Sequence, residues 1–124
     1  MKTRTQKFAS LAMGCVLKRA KESQAREYKA RADSFPTMVL QAGLTQALGF
    51  LLSKEIVYIH YVSDLARVIG RSSAETLHEE AVNSDLPTYR RLTREVLEAA
   101  VLIKRYAQIQ IKTSKEAAHA RAGS

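Results

Sequence analysis

Apolar residues return every three or four positions along most of this chain, which is the spacing that lines one face of an α-helix. Phe8, Leu11, Ala12 and Cys15 begin the pattern, and Thr3 or Thr5 can cap a first helix running to about Ala20. The polar stretch Lys21 to Asp33 reads either as a second helix or as a partly ordered link. Pro36 suits the first turn of a new helical segment, where its missing N–H would be unpaired in any case. Gly43 marks a break, and beyond it Leu44, Ala47, Leu48, Leu51 and Leu52 form another stripe. Gly70 reads as a helix stop. Ser72-Ser73-Ala74-Glu75 reads as a capping box opening a short helix to about Val82. Ser84, with Pro87 in the first turn, opens a long final helix from Leu86 to Lys112. On it Leu92, Val96, Ala99, Ala100, Ile103 and Ala107 line one face.

One segment competes for a different structure. Ile56-Val57-Tyr58-Ile59-His60-Tyr61-Val62 is rich in β-branched and aromatic residues, which favour strands. Yet Tyr58, Tyr61, Val62, Leu65, Val68 and Ile69 keep the helical period, and no second strand-like run exists to pair with it. The expectation is therefore an all-α fold, a single compact bundle of about five to seven helices over residues 1–112. Residues 113–124 are expected to form a mobile tail, having little to bury.

Charge changes this picture of a plain bundle. The 124 residues carry 20 Lys/Arg against 12 Asp/Glu, a formal charge of +8. Residues 1–31 hold nine bases against two acids, residues 32–84 three against six, and residues 85–124 eight against four. Two basic ends around a mildly acidic middle favour a basic patch, and such patches commonly meet nucleic acid or an acidic membrane. Arg90, Arg94, Lys104, Arg105 and Lys112 fall opposite the apolar face of the last helix, forming a rail of cations. Leu97 and Val101 interrupt that rail, as core periphery or as a docking spot for a neighbouring subunit. The protein holds eight Tyr and Phe and no Trp. Tyr58, Tyr61 and Phe50 read as core residues, so the cations suit tracking a sugar–phosphate backbone more than stacking bases.

Catalysis finds little support. His60, His78, His119 and Cys15 are scattered, without paired cysteines or a His-Glu-x-x-His spacing. His60 and Asp64 lie four apart, which is half a metal site at most and more often a local hydrogen bond. The serines lack a nucleophile signature, and no glycine-rich phosphate loop occurs. The single Cys15 excludes an internal disulfide and suits a reducing cytosol. Lys2, Arg4 and Lys7 before Phe8–Cys15 faintly resemble a secretory signal, but the apolar run is short, broken by Ser10 and Gly14, and followed by Lys18, Arg19 and Lys21. No segment approaches the roughly 20 apolar residues of a membrane span.

Two stretches resemble a known family. Phe35-Pro36-Thr37-Met38-Val39-Leu40-Gln41-Ala42-Gly43-Leu44-Thr45-Gln46-Ala47-Leu48-Gly49-Phe50-Leu51-Leu52-Ser53-Lys54 is similar to the Pro…Gly-Leu-x-Gln-x-Leu-x-Phe…Ser-Lys segment of the small helical subunit of the Cmr complex. That complex is the type III-B CRISPR RNA-guided effector. Tyr89-Arg90-Arg91-Leu92-Thr93-Arg94-Glu95-Val96-Leu97-Glu98-Ala99-Ala100, with Lys104-Arg105-Tyr106-Ala107, resembles the family's final helix. The opening Thr3-Arg4-Thr5-Gln6 fits as well. The family often has an aromatic residue before the Lys-Arg pair, where this chain has Leu102-Ile103.

The resemblance implies a non-catalytic subunit that stacks in several copies along the complex and lines its guide–target channel with a basic face. Partners would be other Cmr proteins, further copies of itself, and guide and target RNA. No cofactor, metal or membrane is implied; the setting is a prokaryotic cytoplasm, and the isolated protein is expected to be monomeric. By position, Arg90, Arg94, Lys104 and Arg105 match the family's last-helix bases and Lys54 its Ser-Lys. Arg4, Lys7, Lys18 and Arg19 extend the nucleic-acid-binding set from charge alone. Pairing by the guide would supply sequence specificity, leaving this subunit to recognise backbone and shape. The rival readings are an independent DNA-binding helical regulator and a small hydrolase or nuclease that would depend on Glu79 or Asp64.

Overall fold

A computed structural model describes residues 1–112, which form six α-helices and no strand; the expected tail, 113–124, lies outside the described residues. The helices are α1 (Arg4–Ala20), α2 (Ala25–Ala42), α3 (Leu44–Leu52), α4 (Ile56–Val68), α5 (Ala74–Asn83) and α6 (Leu86–Gln110). The segment with strand-like composition is helix α4, and the reason is burial. Val57, Tyr61, Val62, Leu65, Ala66 and Val68 all face the core, a stripe that only the helical period can bury on one side.

α1 begins at a complete capping box. The Thr3 hydroxyl accepts from the Gln6 N–H while the Gln6 side chain accepts from the Thr3 N–H. α2 departs from the expected layout: it runs through Pro36 as one helix, so Pro36 lies inside α2 and opens no new segment. Tyr28, Ala32, Phe35 and Val39 are buried in one continuous stripe, and this packing holds the helix together across the missing N–H. Gly43 then breaks the chain at φ 89°, a backbone that side chains with a Cβ rarely adopt. There the Tyr89 hydroxyl accepts from the Thr45 N–H at 3.0 Å, fastening the α2–α3 corner to the first turns of α6.

α4 ends at Gly70, φ 82°, in a Schellman motif: the Gly70 N–H reaches the Arg67 carbonyl and the Arg71 N–H the Ala66 carbonyl. Two cap positions shift by one residue from expectation. Ser73, not Ser72, caps α5, its hydroxyl accepting from the Thr76 N–H. Asp85, not Ser84, caps α6, accepting from the Thr88 N–H, with Pro87 in the first turn. Ser84 instead terminates α5.

α6 is the axis of the bundle, with α1 and α2 as its main neighbours. Its buried face carries Leu92, Val96, Ala99, Ala100, Ile103 and Ala107. Three of these are alanines, whose small side chains admit two flanking helices at close range. Beneath them Tyr61 meets Tyr28 and Phe35 edge to face, at centroid distances of 5.7 and 5.3 Å.

Candidate nucleic-acid interface

The packing of α6 turns its remaining face outward. Arg90, Arg91, Arg94 and Arg105 are exposed and Lys104 is half-buried. At 1.5 Å per residue, Arg90 and Arg94 stand about 6 Å apart along the axis, and Arg90 and Arg105 about 22 Å. That length spans several phosphates of a nucleic-acid strand. Lys112, expected to extend the row, falls beyond the end of α6, because the helix stops at Gln110 and Ile111 turns inward to be buried. Arg91 is legible in the sequence as a cation but stands off the strip by helical phase, and its exposure adds it to the outer surface.

The acids of this helix decide the character of the strip. Asp85 is engaged as the cap of α6. Glu95 lies 3.5 Å from the Arg71 guanidinium. Glu98 accepts from both Arg4 and Thr5 at the start of α1. Every carboxylate on or capping α6 is thus directed elsewhere, and among the described residues Arg90, Arg94, Lys104 and Arg105 form no ion pair with protein. Leu97 is half-buried and packs against the core, whereas Val101 is 46% exposed in the middle of the strip.

The other candidate cations divide. Arg4 is brought to α6 by its ion pair with Glu98, and its guanidinium also lies 5.5 Å from the Phe8 ring. Lys7 and Lys18 are exposed on α1. Lys54 is exposed just past α3, its ammonium 4.9 Å from the ring of Phe50. Phe50 itself is 45% exposed, so its reading as a core residue is overturned: it lies on the outer side of α3 while Ala47, Leu48 and Leu51 fill the inner one. Tyr58 is half-buried under Arg31, whose guanidinium is 4.7 Å from the ring. Tyr61 is core.

Arg19 is half-buried and engaged by the protein's own carboxylates, so it does not join the free cations. Its Nε and Nη2 bind both oxygens of Asp64 at 2.9 and 3.0 Å, and Nη1 reaches Glu22 at 3.1 Å. Its side chain is only 11% exposed, and the hydrogen bonds to Asp64 raise its pKa further above the ordinary arginine value. The Tyr28 hydroxyl donates to the same carboxylate at 2.7 Å, and burial followed by the Asp64 charge pushes the Tyr28 phenol upward. Asp64 is therefore held by Arg19 and Tyr28, and the His60–Asp64 pairing weighed from sequence does not form. Among the described residues no three His, Cys, Asp or Glu side chains gather to hold a metal. Burial, then Asp64, also pushes the Cys15 thiol up to about 11. None of the described helices is long and apolar enough to cross a membrane.

Comparison with known proteins agrees with this architecture. Residues 4–110 match the family model described as CRISPR-associated protein (Cas_Cmr5). The protein named CRISPR system Cmr subunit Cmr5 from Thermus thermophilus is 42% identical over 113 residues, covering 90% of this chain and 99% of that one. The crystal structure of a CRISPR-associated Cmr5 family protein from the same organism superposes with a TM-score of 0.87 at 41% identity, covering 90% of this chain and all of the other.

Proposed function

The chain belongs to the Cmr5 family of CRISPR-associated proteins, and we propose that it serves as a non-catalytic subunit of a Cmr effector complex, holding RNA against the outer face of α6. The observation that carries this reading is the strip itself. Among the described residues four cations in line form no ion pair with a carboxylate, while the acids of the same helix are tied to other groups. Such a guanidinium is available for bidentate contact with phosphate, and a neighbouring ammonium adds attraction without fixed geometry. Such contacts read the backbone and leave sequence to base pairing by the guide.

In this reading Arg90, Arg94, Lys104 and Arg105 meet the RNA backbone, with Lys54 and Lys7 as flanking contacts. Arg4 contributes by neutralising Glu98 beside the strip. Val101 and the edge of Leu97 supply a small apolar contact for a neighbouring subunit or a further copy of the chain. The protein acts in the cytoplasm and leaves cleavage to other components.

Affinity purification of the tagged chain from its native cell tests this. Co-elution of other Cmr proteins with a short guide-sized RNA is expected. Recovery of the chain alone, or as a dimer on duplex DNA, would refute the reading and favour a regulator.

A further inference from the structure

A cleft of about 560 Å³, with no α6 residue in its lining, lies between α1, α4 and the turn that leads into α5. Ser10, Gly14 and Lys18 come from successive turns of α1, Ser63 and Arg67 from successive turns of α4, and Ser72 from the turn. Its volume falls in the range of small-molecule sites, roughly 300–1,000 Å³. Arg19 and Arg71 also line it, but both are committed. Arg19 is held by Asp64 and Glu22, and Arg71 by Glu80, Glu95 and the Ile69 carbonyl. These pairs set two guanidiniums against four carboxylates, Asp64 of the lining among them, so this wall offers no free cation and any attraction for an anion comes from other residues. Lys18 and Arg67 remain as exposed cations that form no ion pair among the described residues. Among the described residues the hydroxyls of Ser10 and Ser63, both on the lining, make no side-chain hydrogen bond. The α5 N-terminus adds the positive end of a helix dipole immediately beyond Ser72.

Gly14 is the second observation. It sits in the middle of α1 with ordinary helical φ, where glycine is the least favourable residue apart from proline. A Cβ built there would meet nothing within 4 Å. Helix packing therefore does not require glycine at this position. What it provides is a bare stretch of backbone on the cleft wall, open to close approach by a ligand.

We propose that this cleft binds a phosphate monoester of nucleotide size, its terminal phosphate held by Lys18, Arg67 and the hydroxyl of Ser63, with the remainder lying across Gly14. A monoester fits better than a passing strand. Two cations and the hydroxyls of Ser10 and Ser63 line one recess, which suits the three oxygens of a terminal phosphate, whereas the α6 strip is a linear rail. The same group is carried by a free nucleotide and by the 5′ end of an RNA. The site is independent of the α6 reading.

Isotope-labelled protein titrated with AMP, and with a short single-stranded RNA bearing or lacking a 5′-phosphate, tests this by NMR. AMP should move the amide signals of Gly14, Ser63, Arg67 and Ser72 saturably. Lys18→Gln and Arg67→Gln, both at exposed positions, should each weaken AMP about tenfold, as expected when a charge-assisted hydrogen bond is removed. Gly14→Ala should raise the melting temperature while weakening AMP, a combination that a structural role would not produce. Arg90→Gln should leave AMP binding unchanged. If the 5′-phosphorylated RNA moves the same signals, the physiological source is an RNA end; if AMP alone does so, it is a free nucleotide. The proposal is overturned if millimolar AMP gives no saturable shift, if the RNA lacking a 5′-phosphate moves these signals equally, or if the Lys18 and Arg67 variants bind AMP as the parent does.

Discussion

Asp64 is a buried polar residue that ties three helices of the bundle together. It is 5% exposed, accepts from Arg19 through two bonds and from Tyr28 through a third, and so joins α1, α2 and α4. Removing Asp64 leaves the Arg19 guanidinium with Glu22 alone and the buried Tyr28 hydroxyl without its acceptor. Asp64→Ala is thus expected to cost about 3–5 kcal/mol, and Tyr28→Phe only about 1–2 kcal/mol. Urea denaturation followed by circular dichroism checks this order, and equal losses would contradict it. Glu80 sets an acid limit on stability. The Arg71 guanidinium beside it holds its carboxyl below the usual carboxylate range. A depressed folded-state pKa gives stability that is complete above the unfolded value of about 4.3 and disappears as pH falls through the folded one. Melting temperature should therefore decline below about pH 4.5, and less steeply in Glu80→Gln than in the parent. Sequence could identify Arg19 and Asp64 as charged residues but not as partners, since 45 positions separate them. The same distance effect made Arg19 look like a surface cation.

At the scale of elements, local chemistry was readable and long-range compensation was not. The stripes of α1, α3, α4 and α6 follow from period alone, and Gly43 and Gly70 stop helices because they take positive φ. Pro36 misled because its cost is local, whereas the buried Tyr28–Val39 stripe that offsets it comes from packing against other helices. Ser72 and Ser84 misled for a smaller reason: capping residues stand side by side at both places, and only backbone geometry selects Ser73 and Asp85. Gly43 also offers a direct test of the α2–α3 corner. Gly43→Ala forces a Cβ into a conformation that favours glycine and brings it about 3.5 Å from the Tyr89 hydroxyl. A loss of about 1–3 kcal/mol is expected in thermal or chemical unfolding. An unchanged midpoint would show that the corner tolerates another backbone.

For the whole molecule, the sequence announced two basic ends, and folding gives them different fates. Part of the first end is tied down, with Arg4 meeting Glu98 and Arg19 held by Asp64, while Lys7 and Lys18 stay exposed. The second end supplies the strip, whose four cations form no ion pair among the described residues because Glu95 and Glu98 lean toward Arg71 and Arg4. The positions of these bases on one helix face were legible from spacing; their freedom was not, because it depends on partners from α1 and from the α4–α5 turn. The central claim is that this strip grips RNA backbone. Its most direct test is the affinity of the reconstituted Cmr complex for target RNA, measured across a salt series with parent protein and with Arg90, Arg94, Lys104 and Arg105 all changed to Glu. Four lost backbone contacts should weaken binding at low salt and flatten the slope of log affinity against log salt by about 3, at about 0.7 per contact, with the helical dichroism unchanged. An unaltered affinity and slope in a folded, assembled variant would contradict the account.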